Sequence, residues 1–250
     1  MAIWSRLTTC VSRCKIWTAA VSIRSRSSWA RAMSNRVRAL SRSVERFPIG
    51  DEALLIVAPV GDIAELEREA TEEELLSLEG ITSPHRRAER LSWRRALRSV
   101  EGDAEIEYEE QGAPIIKNSQ YKHISVSHCR DRVAVLLSVR ECGVDIECRD
   151  RRFSAIAERY LSAEEYLVAE RERIDCQTML AIAWSAKEAV YKLLRREGVD
   201  LRRDMRIEAI STEQQSIVVE ACGERVDLRY ILDCDHQIVY TIKKEDHNIE

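Results

Sequence analysis

The sequence predicts an α+β fold, and three observations carry the prediction. Short strand-patterned segments run through the middle of the chain, a long amphipathic helical pattern follows them at about 177–196, and two more helical patterns precede them at 62–79 and 83–100. With 250 residues, 45% hydrophobic and 33% charged, the chain has material for one large domain or two small ones. No apolar run approaches the roughly 18 residues that a membrane helix needs, so no membrane association is expected.

The charge is uneven. Residues 1–44 hold eight Arg and Lys15 with no Asp or Glu, so they carry +9 of a net charge of −4 and leave −13 for residues 45–250. This Ser- and Arg-rich stretch lacks sustained apolar periodicity and is expected to be disordered and outside the fold. Three origins fit it: an upstream extension ahead of Met33, an organellar transit peptide, or a basic arm for nucleic acid or anionic lipid. The eight cysteines (10, 14, 129, 142, 148, 176, 222, 234) form no CxxC pair and have no His at zinc-ligand spacing. They read as buried thiols of a reducing compartment, and a cytoplasmic location is expected, with organellar targeting the lesser alternative.

From Phe47 onward the pattern is that of a folded chain. "ALLIVAPV" (53–60) is a strand-like apolar run, and "DIAELEREATEEELLSLE" (62–79) spaces Ile63, Leu66, Leu75, Leu76 and Leu78 helically. "SPHRRAERLSWRRALRSV" (83–100) offers Ser83 as N-cap, Pro84 at the first helical position, and Leu91, Ala96, Leu97 and Val100 as a buried side. Its other face carries Arg86, Arg87, Arg90, Arg94, Arg95 and Arg98, either a solvated surface or an anion site.

"HISVSH" (123–128) alternates Ile124 and Val126 with Ser125 and Ser127, and "VAVLLSV" (133–139) reads as a more fully buried strand. In "GVDIE" (143–147), Val144 and Ile146 point one way while Asp145 and Glu147 point the other, about 7 Å apart along the strand. Two acids on one face either line an exposed strand or converge on a cation, and a hard oxygen-seeking ion such as Mg²⁺ suits a site without soft ligands. The helix containing "AWSAKEAVYKLL" (183–194) has Met179, Leu180, Ile182, Ala183, Val190, Leu193 and Leu194 as packing positions and Gly198 as a stop signal. Trp184, Glu188 and Lys192 stack on one stripe, with Lys187 beside them. Glu188 and Lys192 make either an ordinary i,i+4 surface pair or part of a cation site.

Taken in order, "ISVSHCRDRVAV", "GVDIE" and "WSAKEAVYK" resemble the 4′-phosphopantetheinyl transferase superfamily, over about residues 84–195, and the length resembles its larger, single-chain, surfactin-synthetase-activating type. The resemblance implies a pseudo-two-fold pair of similar subdomains, each a small antiparallel sheet packed on a long helix, with coenzyme A and Mg²⁺ in the cleft between them. The expected halves are 45–140 and 141–250, the second carrying GVDIE and WSAKEAVYK. The implied roles are Asp145, Glu147 and Glu188 on Mg²⁺, Glu188 as base, and Lys192 at the pyrophosphate and the departing 3′,5′-ADP. Ser127 and His128 would contact the 3′-phosphate of coenzyme A, Lys187 would bind a phosphate as well, and Arg86 and Arg87 match basic cofactor contacts of the N-terminal half, with Glu165 in "YLSAEEYL" a further candidate. Many members read Gly-Lys-Pro where this chain has Gly112-Ala113-Pro114, and Lys117 or an arginine is the candidate replacement.

The implied reaction moves 4′-phosphopantetheine from coenzyme A to a serine of an apo acyl, peptidyl or other carrier protein, as in a holo-[acyl-carrier-protein] synthase. The carrier can belong to fatty-acid, polyketide, peptide-synthetase or lysine biosynthesis. An acidic carrier helix would meet the Arg86 to Arg98 face, and the enzyme is expected to be a monomer. A non-catalytic coenzyme A or carrier-binding module is the alternative, weakened because every central motif residue is present. Nucleic-acid binding is disfavoured by the −13 of residues 45–250.

Overall fold

The computed structural model describes residues 43–110 and 112–244. The expectation for residues 1–44 thus lies, but for the last two, outside the described residues. The chain begins with a hairpin, β1 (Glu45–Ile49) and β2 (Ala53–Pro59), followed by helices α1 (Ile63–Glu69), α2 (Glu72–Leu76) and α3 (Pro84–Arg98). A small hairpin, β3 (Glu105–Tyr108) and β4 (Pro114–Lys117), leads to β5 (His123–His128) and β6 (Arg132–Ser138). Then come β7 (Cys142–Cys148), two 3₁₀ turns, α4 (Ala163–Arg171), α5 (Cys176–Leu194), β8 (Met205–Ser211), β9 (Ser216–Ala221), β10 (Glu224–Leu232) and β11 (His236–Ile242).

Pairing is antiparallel throughout, in sheets of order β1-β2-β6-β5 and β7-β11-β10-β9-β8, with β3-β4 separate. The α+β expectation is met, and the chain leaves the first sheet at Ser138 and enters the second at Cys142. Strand alternation sorts the core into layers. Trp93, Ala96 and Leu97 of α3 cover Ile56, Ile124, Val135 and Leu137 of the first sheet. The other face of that sheet, through Leu55, Val57 and Leu136, meets Val144, Ile146, Ile238 and Tyr240 of the second. Val219, Leu228 and Val239 on the far side then bury Ala183, Ala186 and Val190 of α5. The order of layers is α3, first sheet, second sheet, α5.

Three local expectations change. The 62–79 pattern is two helices, because Thr71 caps a new start: its hydroxyl accepts the Glu74 N–H at 3.2 Å, and Glu74 accepts the Thr71 N–H at 2.9 Å. Leu66 and Leu78 are buried, whereas Leu75 and Leu76 are exposed. Helix α5 ends before Gly198, with Arg195 itself left-handed at φ 49°. The Arg195 guanidinium donates to Glu109 at 2.6 Å and to the Ile124 carbonyl at 3.4 Å, and these tertiary bonds hold a backbone that glycine would otherwise supply.

The arginine face of α3 is not an open basic surface. Arg87 pairs with Glu67 at 2.6 Å, Arg95 with Glu69 at 3.3 Å and Glu65 at 3.7 Å, and Arg98 with Glu74. Arg94 is buried and donates to the Tyr108 hydroxyl at 3.0 Å, while Arg90 lies over the same ring. The acids of α1 and α2 are the counter-charges, so most of the face clamps these short helices to α3.

Candidate functional site

With Val144 and Ile146 committed to the packing between the sheets, Asp145 and Glu147 share the opposite face of β7, against α5. Helix α5 begins at an Asp175 N-cap that accepts the Thr178 N–H at 2.9 Å. Its turns bring Trp184, Glu188 and Lys192 to that face in succession. Lys192 Nζ donates to Asp145 Oδ1 at 3.0 Å and to the Val144 carbonyl at 2.9 Å. Trp184 Nε1 donates to Glu147 Oε1 at 3.0 Å, and Arg151 pairs with the same oxygen while stacking over the Trp184 ring. Tyr160 meets Trp184 edge-on, with centroids 5.2 Å apart.

The first sheet contributes Ser127. Its hydroxyl donates to Asp145 Oδ1 at 2.8 Å and accepts the Ile146 N–H at 3.2 Å, while Ser125 accepts the Val144 N–H at 3.1 Å. The polar face of β5 therefore binds the edge of β7 instead of water. Asp145 Oδ1 has two donors, whereas Asp145 Oδ2 is buried with no hydrogen-bond partner.

Burial, then the charge of Asp145, pushes the Glu147 carboxyl up to about 7, against the pull of Arg151, Trp184 and Lys192. Burial and Asp145 likewise raise Glu188, against Lys192 and Arg151. An orphaned buried oxygen beside two carboxylates whose pKa burial and then the Asp145 charge raise fits a divalent cation, which would offset each of these penalties. Asp145, Glu147 and Glu188 are the residues that can hold it, Glu147 by turning away from Arg151. Among the described residues, the group of metal-ligating atoms already within 4.8 Å of one another is a different one, Cys129, Asp131, Cys148 and His236.

The remaining candidates are dispersed. His128 is exposed beside Glu89, at 3.1 Å, and His85 reaches the same carboxylate at 3.0 Å. Arg86 is exposed in the first turn of α3, while Arg87 is engaged by Glu67. Lys187, implied to bind phosphate, is 0% exposed: Nζ donates to the Tyr160 carbonyl at 2.5 Å, the Met205 carbonyl at 3.0 Å and Glu165 at 2.7 Å. Glu165 in turn accepts the N–H of Ser162 at 2.7 Å and of Ile207 at 2.9 Å. This geometry gives Lys187 and Glu165 a structural part, tying α4, α5 and β8, with no open side for a phosphate. Lys117, on the β3-β4 hairpin, pairs with Glu107 at 3.6 Å. Arg151 escaped the sequence reading; its one signal was the i+4 spacing from Glu147.

Two hollows lie away from the carboxylates. One of about 30 Å³ sits between the sheets, bordered by Ile146 on the other face of β7, and one of about 570 Å³ lies between α2 and α3. Among the described residues no helix is long and apolar enough to cross a membrane.

Residues 141–249, which contain Asp145, Glu147, Glu188 and Lys192, match the family model of the 4′-phosphopantetheinyl transferase superfamily. No curated protein matches the chain at a significant level.

Proposed function

The chain belongs to the 4′-phosphopantetheinyl transferase superfamily through residues 141–249, and from that premise we propose that it transfers the 4′-phosphopantetheine arm of coenzyme A to a serine of an apo carrier protein with the help of Mg²⁺. One observation carries the reading: Ser127 and Lys192 converge on one oxygen of Asp145 and leave the other buried and unpartnered, beside Glu147 and Glu188.

Bound by Asp145, Glu147 and Glu188, Mg²⁺ would supply neutralisation of the pyrophosphate oxygens and alignment of the leaving group. The chain's own groups do the rest. Ser127 and Lys192 fix the Asp145 carboxylate in one rotamer, so its free oxygen has a set direction. Glu188, whose burial makes it a stronger base than a solvated carboxylate, takes the proton of the carrier serine hydroxyl as that oxygen bonds to phosphorus. The bond from phosphorus to the 3′,5′-ADP oxygen breaks, and Lys192, half-exposed at the end of the stripe, stabilises the charge that appears there. His128 at the end of β5, with Arg86, is the proposed contact for the remaining phosphate; Ser127, implied to share it, is buried with its one O–H given to Asp145 and keeps the part of holding that carboxylate. The length and the two sheets in one chain support the larger single-chain type acting as a monomer.

The test is the intact mass of an apo acyl carrier protein after incubation with this protein, coenzyme A and Mg²⁺. A gain of one phosphopantetheine arm, lost without metal and lost in Lys192→Ala, is the expected result. No gain across a panel of carriers while coenzyme A still binds would favour a binding module.

A further inference from the structure

A second cluster of chemically distinctive side chains lies on the same seam, and it is independent of the transfer reaction. Cys129 and Asp131 come from the turn between β5 and β6, Cys148 from the end of β7, and His236 from the start of β11. Each offers one ligand atom, and the four atoms lie within 4.8 Å of one another. We infer that these four residues form a zinc site that pins the two sheets together.

The donor set argues for that metal. Two sulfurs, an imidazole and one carboxylate are too soft for Mg²⁺ or Ca²⁺ and suit a tetrahedral, borderline cation. The spacing agrees. A tetrahedron with ordinary zinc–ligand bond lengths has edges of about 3.4–3.8 Å. Cys148 Sγ and Cys129 Sγ stand 3.6 Å and 3.9 Å from Asp131 Oδ1. His236 Nε2 is 2.9 Å from the same oxygen, so that one edge must open by about half an ångström. The histidine is held from behind as a metal-bound histidine usually is: Asp233 Oδ1 lies 3.6 Å from His236 Nδ1. That carboxylate is itself fixed by the N–H groups of Asp235 at 2.7 Å and His236 at 2.6 Å.

Access and charge fit as well. Cys129, Cys148 and His236 are buried while Asp131 is exposed, which gives a dry site with one open rim. Two thiolates, a carboxylate and Zn²⁺ sum to −1, and Arg130 and Arg132 flank Asp131 in sequence to offset it. Binding would release the two thiol protons to solvent. Four protein ligands leave no position for a substrate, so the role is structural. The staple grips β7 at Cys148, one residue beyond Glu147.

The test uses the reduced full chain and Co²⁺ as a spectroscopic stand-in. With excess Mg²⁺ present to occupy the carboxylate site, one thiolate-bound Co²⁺ per chain is expected, with sulfur-to-cobalt charge-transfer bands and tetrahedral visible bands that Zn²⁺ erases. Zinc should raise Tm and a chelator should reverse the rise. Cys129→Ser with Cys148→Ser should abolish the charge-transfer bands, and Cys234→Ser should keep them. Should the double variant fail to fold, Asp131→Asn at the rim should weaken Co²⁺ binding at least about tenfold. Absence of sulfur bands overturns the inference, as do bands that survive in the double variant. A Cys129–Cys148 disulfide found by mass in a chain that binds no cobalt overturns it too, in favour of a redox pair.

Discussion

A Cβ placed on Gly143 would lie 2.0 Å from the carbonyl oxygen of Ala189 and 3.1 Å from the backbone nitrogen of Leu193. The first residue of GVDIE is therefore glycine because α5 runs directly over it. That approach lets a lysine on α5 reach an aspartate two residues further along β7.

Gly143→Ala has no flexible neighbour to displace, so helix and strand must separate. The expected cost is about 1–3 kcal/mol of stability. Transfer should fall further than folding, since Lys192 and Glu188 move together away from Asp145. A denaturant titration beside the carrier mass assay checks this, and unchanged values in both would show that the contact can relax.

Lys192→Ala is expected to abolish transfer while coenzyme A binding survives in part. The Asp145 carboxylate then keeps Ser127 as its donor but loses its cation. Calorimetric coenzyme A titration and single-turnover transfer, measured on the same preparation, separate binding from chemistry; near-wild-type turnover would remove Lys192 from the mechanism.

Lys187→Met removes the cation of an ion pair that is 0% and 1% exposed. Leaving Glu165 charged and buried should cost about 3–5 kcal/mol. Adding Glu165→Gln should recover much of it, with coenzyme A affinity of the folded fraction unchanged throughout. If Lys187→Met instead folds normally and binds coenzyme A poorly, the residue touches phosphate after all.

For pH, the sign follows from Glu147. Its pKa in the fold, about 7, is above the ordinary value near 4.5. Its neutral form thus stabilises the metal-free fold below about pH 4.5, and that contribution is lost as pH rises through about 7. Glu188 acts in the same direction. Relative to wild type, Glu147→Gln should flatten the fall in Tm between these limits, and Mg²⁺ should shrink the difference between the two proteins. Parallel pH curves with and without Mg²⁺ would contradict the metal assignment.

On α3, Arg94→Glu should destabilise by about 3 kcal/mol or more, since it buries a charge against Tyr108. Arg86→Glu, on the exposed first turn, should leave Tm unchanged and raise the KM for coenzyme A. Equal Tm values for both variants would show Arg94 to be as free as Arg86.

The strands at 123–128 and 143–147 were legible through period-two alternation, and those at 53–60 and 133–139 as short continuous apolar runs, because both of their faces are buried. The stripe of Trp184, Glu188 and Lys192 was legible because 3.6-residue geometry fixes it. What escaped depends on contacts between distant segments. Nothing local distinguishes Arg94, buried on Tyr108, from Arg86 in water, or marks Lys187 as the partner of Glu165. The Cys129, Asp131, Cys148 and His236 cluster is assembled from three separate segments, so no spacing along the chain could announce it. Thr71 restarting a helix was visible as a capping-box pattern, but continuous acid-rich periodicity overrode it.

The hydroxyls of Ser125 and Ser127 have a consequence for how the protein can be divided. β7 is an edge strand, paired by backbone only with β11. Its other rim is closed by those two serines, which take the N–H groups of Val144 and Ile146 where a neighbouring strand would otherwise dock. Cut at residue 140, the half that carries all three carboxylates would present that rim bare, with Val144 and Ile146 stripped of their cover, as a template for another chain to add to. The half from residue 141 onward is thus not a portable module: the first sheet works as its built-in chaperone, shielding the strand that carries Asp145 and Glu147 from self-association.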